Sequence, residues 1–423
     1  MERTLEQRYE AEHKLDDRWA PRFFTIWIGQ AFSLFGSQIV QFALVWWLTE
    51  QTGSATVLAT ASLFGMLPQI VLSPFAGALV DRWNRRIVMM VADSAIAILT
   101  LGLSFLFYTG QVQVWHIYAI MLLRSAGGAF HWPAMQASTS LMVPKEHLTR
   151  IGGLNQTLSG LVGIAAPPLG AMLLQVIPVY GVLLVDVATA FLAVPPLFFV
   201  HIPQPKKRCE GQLTGVKTTL WTDLAEGFRY VASWRGMLIL GVLAALLNCL
   251  FTPAFSLLPL LVSKHFGGGA VQLGVINSAW GIGMLAGGLV LSAWGGFKRK
   301  MTTCLMGVIG MGVGLMVVAV APSNLFWLAL SGTVMAGFMA PMANGPLFAV
   351  VQSVVEPDMQ GRVMSLMNSV AAAMSPLGLL IAGRLTDFLG LQVWYYVAGL
   401  AGIIMGVGGF FVEPVTSLES NRH

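Results

Sequence analysis

The sequence predicts an all-α membrane protein of twelve transmembrane helices arranged in two six-helix halves. Three observations lead there. The chain has 423 residues, 56% hydrophobic and only 10% charged, whereas an ordinary soluble domain is about 25% charged. Its apolar residues fall in long runs that meet the requirement of about 20 residues for a helix to cross a bilayer. Its basic residues are concentrated in alternate gaps between those runs, the asymmetry that sets membrane topology.

The spans read as 23–48, 56–80, 87–108, 114–142, 151–177, 179–200, 236–262, 271–294, 301–320, 325–350, 363–383 and 391–412. They lack the period-2 alternation of membrane strands. Residues 1–22 form a densely charged tail that runs into a span too long for the core of a secretory leader, so no cleavable leader is expected. Residues 23–200 and 236–412 each hold six spans, and 413–423 make a second tail. The interruption at 201–235 begins with a polar, turn-rich linker. It continues with Leu220, Leu224, Phe228 and Val231 on one helical face. That stretch reads as an amphipathic helix, either on the inner leaflet or packed on the cytoplasmic loops.

With the N-terminus placed inside, the inner loops hold Arg82, Arg85 and Arg86, Lys206, Lys207 and Arg208, and Lys298, Arg299 and Lys300. The outer loops keep only Lys264 and Arg384. Both termini are therefore expected in the cytoplasm. The formal charge of +5 belongs to these loops and gives no reason to expect nucleic acid. Cys209, Cys249 and Cys304 form no C-x-x-C pair and read as free thiols. The seven histidines show no metal-ligand spacing, and no G-x-x-x-x-G-K-[ST] is present. No metal, cofactor or enzymatic activity is expected.

Short matches link the halves in the same order. Ala76-Gly77-Ala-Leu-Val80 pairs with Ala286-Gly287-Gly-Leu-Val290, Arg150-Ile-Gly-Gly-Leu154 with Arg362-Val-Met-Ser-Leu366, and Pro168-Leu-Gly170 with Pro376-Leu-Gly378. Internal duplication is the simplest reading.

Arg124 is the one basic residue inside a span. A buried guanidinium needs a partner or a wet cavity. The acids within spans are Asp93 and Asp186. Counted along their helices, Arg124 and Asp186 lie at comparable depth from the outer ends, which predicts an outer-half pair. Asp93, nearer the inner face, is expected to partner the loop arginines Arg85 and Arg86. Either acid reads as a proton carrier or as one side of a structural ion pair.

The stretch Gly77-Ala-Leu-Val-Asp-Arg-Trp-Asn-Arg-Arg86 resembles the G-x-L-x-D-R-x-x-R-R signature between helices 2 and 3 of the major facilitator superfamily of transporters. The resemblance implies the major facilitator fold and a gating loop of Gly77, Asp81, Arg82, Arg85 and Arg86. The corresponding loop of the second half, Trp294-Gly-Gly-Phe-Lys-Arg-Lys300, keeps the basic cluster without the acid, so gating is expected to be asymmetric. In helix 5, Gly163-Ile-Ala-Ala-Pro-Pro-Leu-Gly-Ala171 resembles the family's G-x-x-x-G-P-x-x-G-G antiporter element. Pro167 or Pro168 supplies the kink and Gly170 the close approach, with Gly163 opening the helix-interface motif; Ala166 and Ala171 depart from the usual glycines. Arg124-Ser-Ala-Gly-Gly128 resembles the helix 4 element R-x-x-x-G of proton-coupled efflux members.

In this family, helices 1, 4, 7 and 10 line the cavity. They offer Gln30, Ser33, Gln38 and Gln41; His131 and Gln136; Asn248, Phe251 and Phe255; and Met339, Met342 and Asn344. This apolar, aromatic and amide-bearing set suits large lipophilic cargo better than sugars or phosphates. Single polar residues on membrane helices also serve as packing hydrogen bonds.

Gln30-Ala-Phe-Ser-Leu-Phe-Gly36 and Gly127-Gly-Ala-Phe-His-Trp-Pro133 are similar to the drug:proton antiporter group that includes macrolide-efflux proteins. That implies a monomeric bacterial inner-membrane exporter, in contact with membrane lipids, trading lipophilic drugs for protons and conferring antibiotic resistance. An exporter of a siderophore or other metabolite, an importer or lipid flippase on the same scaffold, and a membrane-embedded enzyme or receptor remain open.

Overall fold

The structure, a computed structural model, describes residues 19–80, 83–200, 202, 228–229, 231–232, 234–355 and 357–416. Among them there is no strand. The long helices are α1 (Trp19–Thr52), α2 (Ala55–Val80), α3 (Arg85–Tyr108), α4 (Val114–Met142), α5 (Lys145–Val176) and α6 (Val179–Phe199), then α7 (Arg235–Ser256), α8 (Ala270–Trp294), α9 (Lys300–Val320), α10 (Phe326–Val354), α11 (Pro357–Leu389) and α12 (Leu391–Phe411). Eleven described helices are long and apolar enough to cross a membrane. The remaining one, α4, is of similar length and carries Arg124, His116, His131 and Gln136. The tails and most of 201–233, including Leu220 and Leu224 of the expected amphipathic helix, lie outside the described residues; Phe228 is exposed and Val231 buried.

Local chemistry sets the breaks. Gly53 ends α1 at φ 55°, a left-handed conformation that suits glycine, and α2 begins two residues later. Asn84 caps α3 by accepting from the Arg86 backbone N–H at 3.1 Å. Past Ser256, α7 continues as one short turn, Leu258–Leu260, and a π turn, Leu261–His265, with Leu257 to Val262 all buried.

The helices pack in a repeating scheme. In the first half α1 meets α5 and α6, α2 meets α4, and α3 meets α4 and α6. Each of these pairs recurs six helices later: α7 with α11 and α12, α8 with α10, and α9 with α10 and α12. The halves meet through α2 with α11 and through α5 with α8, two contacts related by the same shift. The duplication read from three short matches is thus paralleled by the helix packing.

Backbones come very close in the second half. A Cβ on Gly287 would overlap the Phe338 carbonyl, and one on Gly378 would overlap that of Cys249. In lipid, where burial of apolar surface gives little drive between helices, such close approach supplies the packing.

Among the described residues, an apolar cluster spans the two halves at one end. At the end that carries Gly53, a single apolar cluster joins Trp46, Leu48 and Leu58 to Leu258, Leu261 and Trp394. At the end that carries Asn84, the clusters stay within one half: Phe23, Met89 and Ile151 in the first, Leu240, Met301 and Val350 in the second. The α5–α8 contact shows the divergence. Gly274 lies against the backbone of Pro168, Ile164 against Gly281, and Gly160 against Leu285. Gly153, two turns further on the same stripe of α5, has nothing within 4 Å of where a Cβ would sit. The described parts of the two halves therefore stand apart toward the Asn84 end.

Candidate functional site

Asp186 of α6 is 2% exposed and binds three other helices. Its Oδ2 receives Arg124 Nη1 from α4 at 2.5 Å and Thr100 Oγ1 from α3 at 3.0 Å. Its Oδ1 accepts from Ser37 Oγ of α1 at 2.7 Å. Thr100 Oγ1 also accepts from Arg124 Nη1 at 2.5 Å. The expected Arg124–Asp186 pair is present, and both carboxylate oxygens are occupied. Charges buried in this way persist only when paired and hydrogen-bonded.

A second cluster sits nearby. Asp93 of α3, 6% exposed, accepts from Gln30 Nε2 of α1 at 2.8 Å and lies 3.3 Å from His131 Nε2 of α4. The same Nε2 lies 2.9 Å from Gln30 Oε1. An amide oxygen can only accept, so the proton of that imidazole bond resides on Nε2. The expected pairing of Asp93 with the loop arginines is corrected by this geometry. Arg85 Nη1 donates to the Ala137 carbonyl at 2.8 Å and Arg86 Nη2 to the Phe198 carbonyl at 2.5 Å. Those bonds tie the start of α3 to α4 and α6. Asp81 and Arg82 lie outside the described residues.

Both clusters border one recess of about 580 Å³ in the first half. Gln30, Ser33, Ser37, Gln38, Gln41, Asp93, Arg124 and His131 all line it, with Ser62 and Gln69 from α2. Asp186 lies behind this wall, reached through Arg124 and Ser37.

The second half has a recess of about 340 Å³ with no charged side chain in its lining. Asn248, Phe251 and Phe255 of α7 and Asn344 of α10 border it, as expected, together with Trp280, Met284 and Met311. Phe255 and Trp280 meet edge to face with centroids 4.5 Å apart. Three expected cargo residues line neither recess, one of them Met342, which is buried. Gln136 is exposed and lines neither recess. Met339 packs its sulfur over Gly310 of α9 instead of facing the recess. Met339 lies on another face of α10, whereas Gln136 continues the α4 stripe of Gly128 and Trp132 one turn beyond the recess.

In α5, Pro167 and Pro168 present their backbone to Gly274 of α8, and Ser278 Oγ donates to the Ile164 carbonyl at 2.6 Å. Gly170 instead packs within its own half, where a Cβ would stand 3.0 Å from a ring carbon of Phe42. A Cβ on Gly163 or Gly77 would meet nothing within 4 Å.

Ser37 and Thr100 were not singled out from the sequence. Their signal was indirect: a buried ion pair leaves lone pairs that neighbouring hydroxyls must satisfy.

Comparison with known proteins adds the ancestry. The family described as Major Facilitator Superfamily matches residues 26–379 and 242–422. Macrolide efflux protein A of Streptococcus pyogenes is 31% identical over 403 residues, covering 95% of this chain and 98% of that protein. The multidrug efflux pump Tap of Mycolicibacterium fortuitum is 27% identical over 402 residues, covering 91% and 94%. Among solved structures, a bacterial homologue of the iron transporter ferroportin in an inward-facing state superposes with a TM-score of 0.67 at 16% identity, covering 92% of this chain and 98% of that one.

Proposed function

The chain belongs to the Major Facilitator Superfamily, and from that premise we propose that it exports lipophilic, macrolide-like compounds in exchange for protons by alternating access. It is a multi-pass membrane transporter; a bacterial inner membrane, cytoplasmic termini and a monomer surrounded by lipid complete the reading. The efflux proteins it is similar to support the cargo class.

The observation that carries the reading is the division of charge between the two recesses. The first recess is lined by one buried carboxylate, Asp93, a guanidinium and an imidazole, and a second buried carboxylate, Asp186, is paired with that guanidinium behind the wall. The second is uncharged and aromatic. Proton handling is assigned to the first half and cargo contact chiefly to the second, with Gln30, Gln38, Gln41 and His131 offering polar contacts from the opposite wall.

The coupling follows from Asp186. Its carboxylate draws α1, α3, α4 and α6 together through Ser37, Thr100 and Arg124. A proton on Asp186 abolishes the ion pair and leaves Arg124 to Thr100 and to water in the recess. Uncompensated, a broken buried pair costs about 3–5 kcal/mol, while one proton crossing 100 mV yields about 2.3 kcal/mol. Protonation therefore has to be accompanied by rearrangement of the four helices, and this links titration to the change of state. Asp93 with His131 is the second proton-holding pair. The loop of Gly77, Asp81, Arg82, Arg85 and Arg86 closes the Asn84 end in the alternate state, and the space beside Gly77 leaves room for that closure. The Pro167–Pro168 backbone on Gly274 is the contact about which the halves rock.

The test uses everted membrane vesicles carrying the chain. A preformed pH gradient should collapse when a macrolide is added, and the collapse should vanish with Asp186→Asn. A gradient indifferent to macrolides and other lipophilic drugs would defeat the proposed cargo class.

A further inference from the structure

Asp387 lies near the end of α11, and all of its described partners belong to the other half. Its Oδ1 accepts the Ala55 backbone N–H at 2.8 Å, and its Oδ2 accepts the Thr56 N–H at 3.0 Å. The Thr56 hydroxyl adds a bond of 2.7 Å and the Ser54 hydroxyl one of 3.1 Å. Ala55 and Thr56 open α2, where backbone N–H groups have no partner within the helix and the dipole favours an anion. Helices usually cap these groups with a residue just before them. Here a carboxylate arrives from a helix more than three hundred residues later in the sequence.

The surroundings make this a joint between moving parts. Gly383, one turn before Asp387, lies against Thr56 and Ala59 with no side chain between them. The neighbouring charges are Arg384 on the same helix, which borders a small gap with Thr56 and Thr60, and Lys264, whose side chain reaches Gly53. The contact lies at the Gly53 end, where the halves touch. Opening that end requires α2 and α11 to part, which strips a charged group and two helix-terminal N–H groups of their partners together.

We infer that Asp387 is a positioning residue of the transport cycle: its ionised carboxylate clasps the start of α2 and holds the Gly53 end shut, stabilising the state that is open at the Asn84 end. Nothing in the chemistry of cargo or proton binding requires this residue. It sets the balance between the two states and hence the fraction of molecules presented to each side of the membrane.

The inference rests on the alternating-access reading above, though not on the identity of the cargo. Its test reads the two ends directly in lipid nanodiscs, where reagent reaches both faces. In a full-length chain with the native cysteines replaced, Ala59→Cys reports the Gly53 end and Gly153→Cys the Asn84 end. Asp387→Asn should raise maleimide labelling of the first severalfold and lower that of the second, and Asp387→Glu should restore both toward the parent. Unchanged rates at both positions overturn the inference. A rise at both overturns it as well, because Asp387 would then hold the fold together instead of favouring one state. Since no cargo is present, a chain that failed to export macrolides would still give either answer.

Discussion

Ser37 joins the first recess to Asp186: it lines the recess, and its hydroxyl donates to Oδ1 at 2.7 Å. Asp186 is otherwise shielded by Arg124. A proton travelling between recess and carboxylate has this hydroxyl as its nearest relay. Ser37→Ala removes a hydrogen bond to a charged group, worth about 1.5–3 kcal/mol. Macrolide-driven proton flux in everted vesicles should fall about tenfold, with Ser37→Thr close to the parent. Full flux in the alanine variant would mean that water passes Arg124 instead.

The ion pair itself separates stability from coupling. Asp186→Asn leaves Arg124 charged and short of a partner, and should lower thermal stability in detergent, by about 3 kcal/mol if the charge stays buried. The double variant Arg124→Gln/Asp186→Asn should recover most of that stability and none of the coupling. If proton flux returned along with stability, Asp93 and His131 would be the carriers.

Gly77 and Gly287 occupy matching places in the two halves and sit in opposite surroundings. Gly287 is jammed against the Phe338 carbonyl, whereas a Cβ on Gly77 would meet no described atom within 4 Å. Gly287→Leu should cost more than the 1–3 kcal/mol or so typical of overpacking and reduce the yield of folded protein. Gly77→Leu should fold with unaltered melting temperature and fail in transport, because its clash arises only when the Asn84 end closes. Active transport in Gly77→Leu would remove that residue from the gate.

The edge-to-face pair of Phe255 and Trp280 forms an aromatic wall of the uncharged recess. Such pairs contribute about 0.5–1.5 kcal/mol beyond burial. Trp280→Ala should weaken equilibrium binding of a radiolabelled macrolide up to about tenfold. Proton leak measured without cargo should not change. A variant that bound as tightly as the parent would place the cargo elsewhere.

Much of this architecture was legible in the sequence, and the failures share a cause. Hydropathy located the spans because a bilayer imposes length and composition on every crossing. Depth counting found the Arg124–Asp186 pair because both lie well inside and have few possible partners. The same counting misassigned Asp93, since depth along one helix says nothing about which neighbour it faces; Gln30 and His131 stand at its level. Met339 missed the second recess for the same reason of facing. Asp387 escaped notice because apolarity fades before the helix does: the eleventh span was expected at 363–383, whereas α11 runs to Leu389. Its partners, two backbone N–H groups and two hydroxyls across a fold-level interface, leave no trace in local pattern.

The absence of charge from the lining of the second recess has an evolutionary consequence. If cargo binds there as proposed, substitutions among Phe251, Phe255, Trp280 and Asn344 would reshape what is accepted without disturbing Asp93 and Asp186, which sit on other helices. On that reading, selection by a new toxic compound would shift the range of cargo one residue at a time, while the proposed proton coupling is inherited intact.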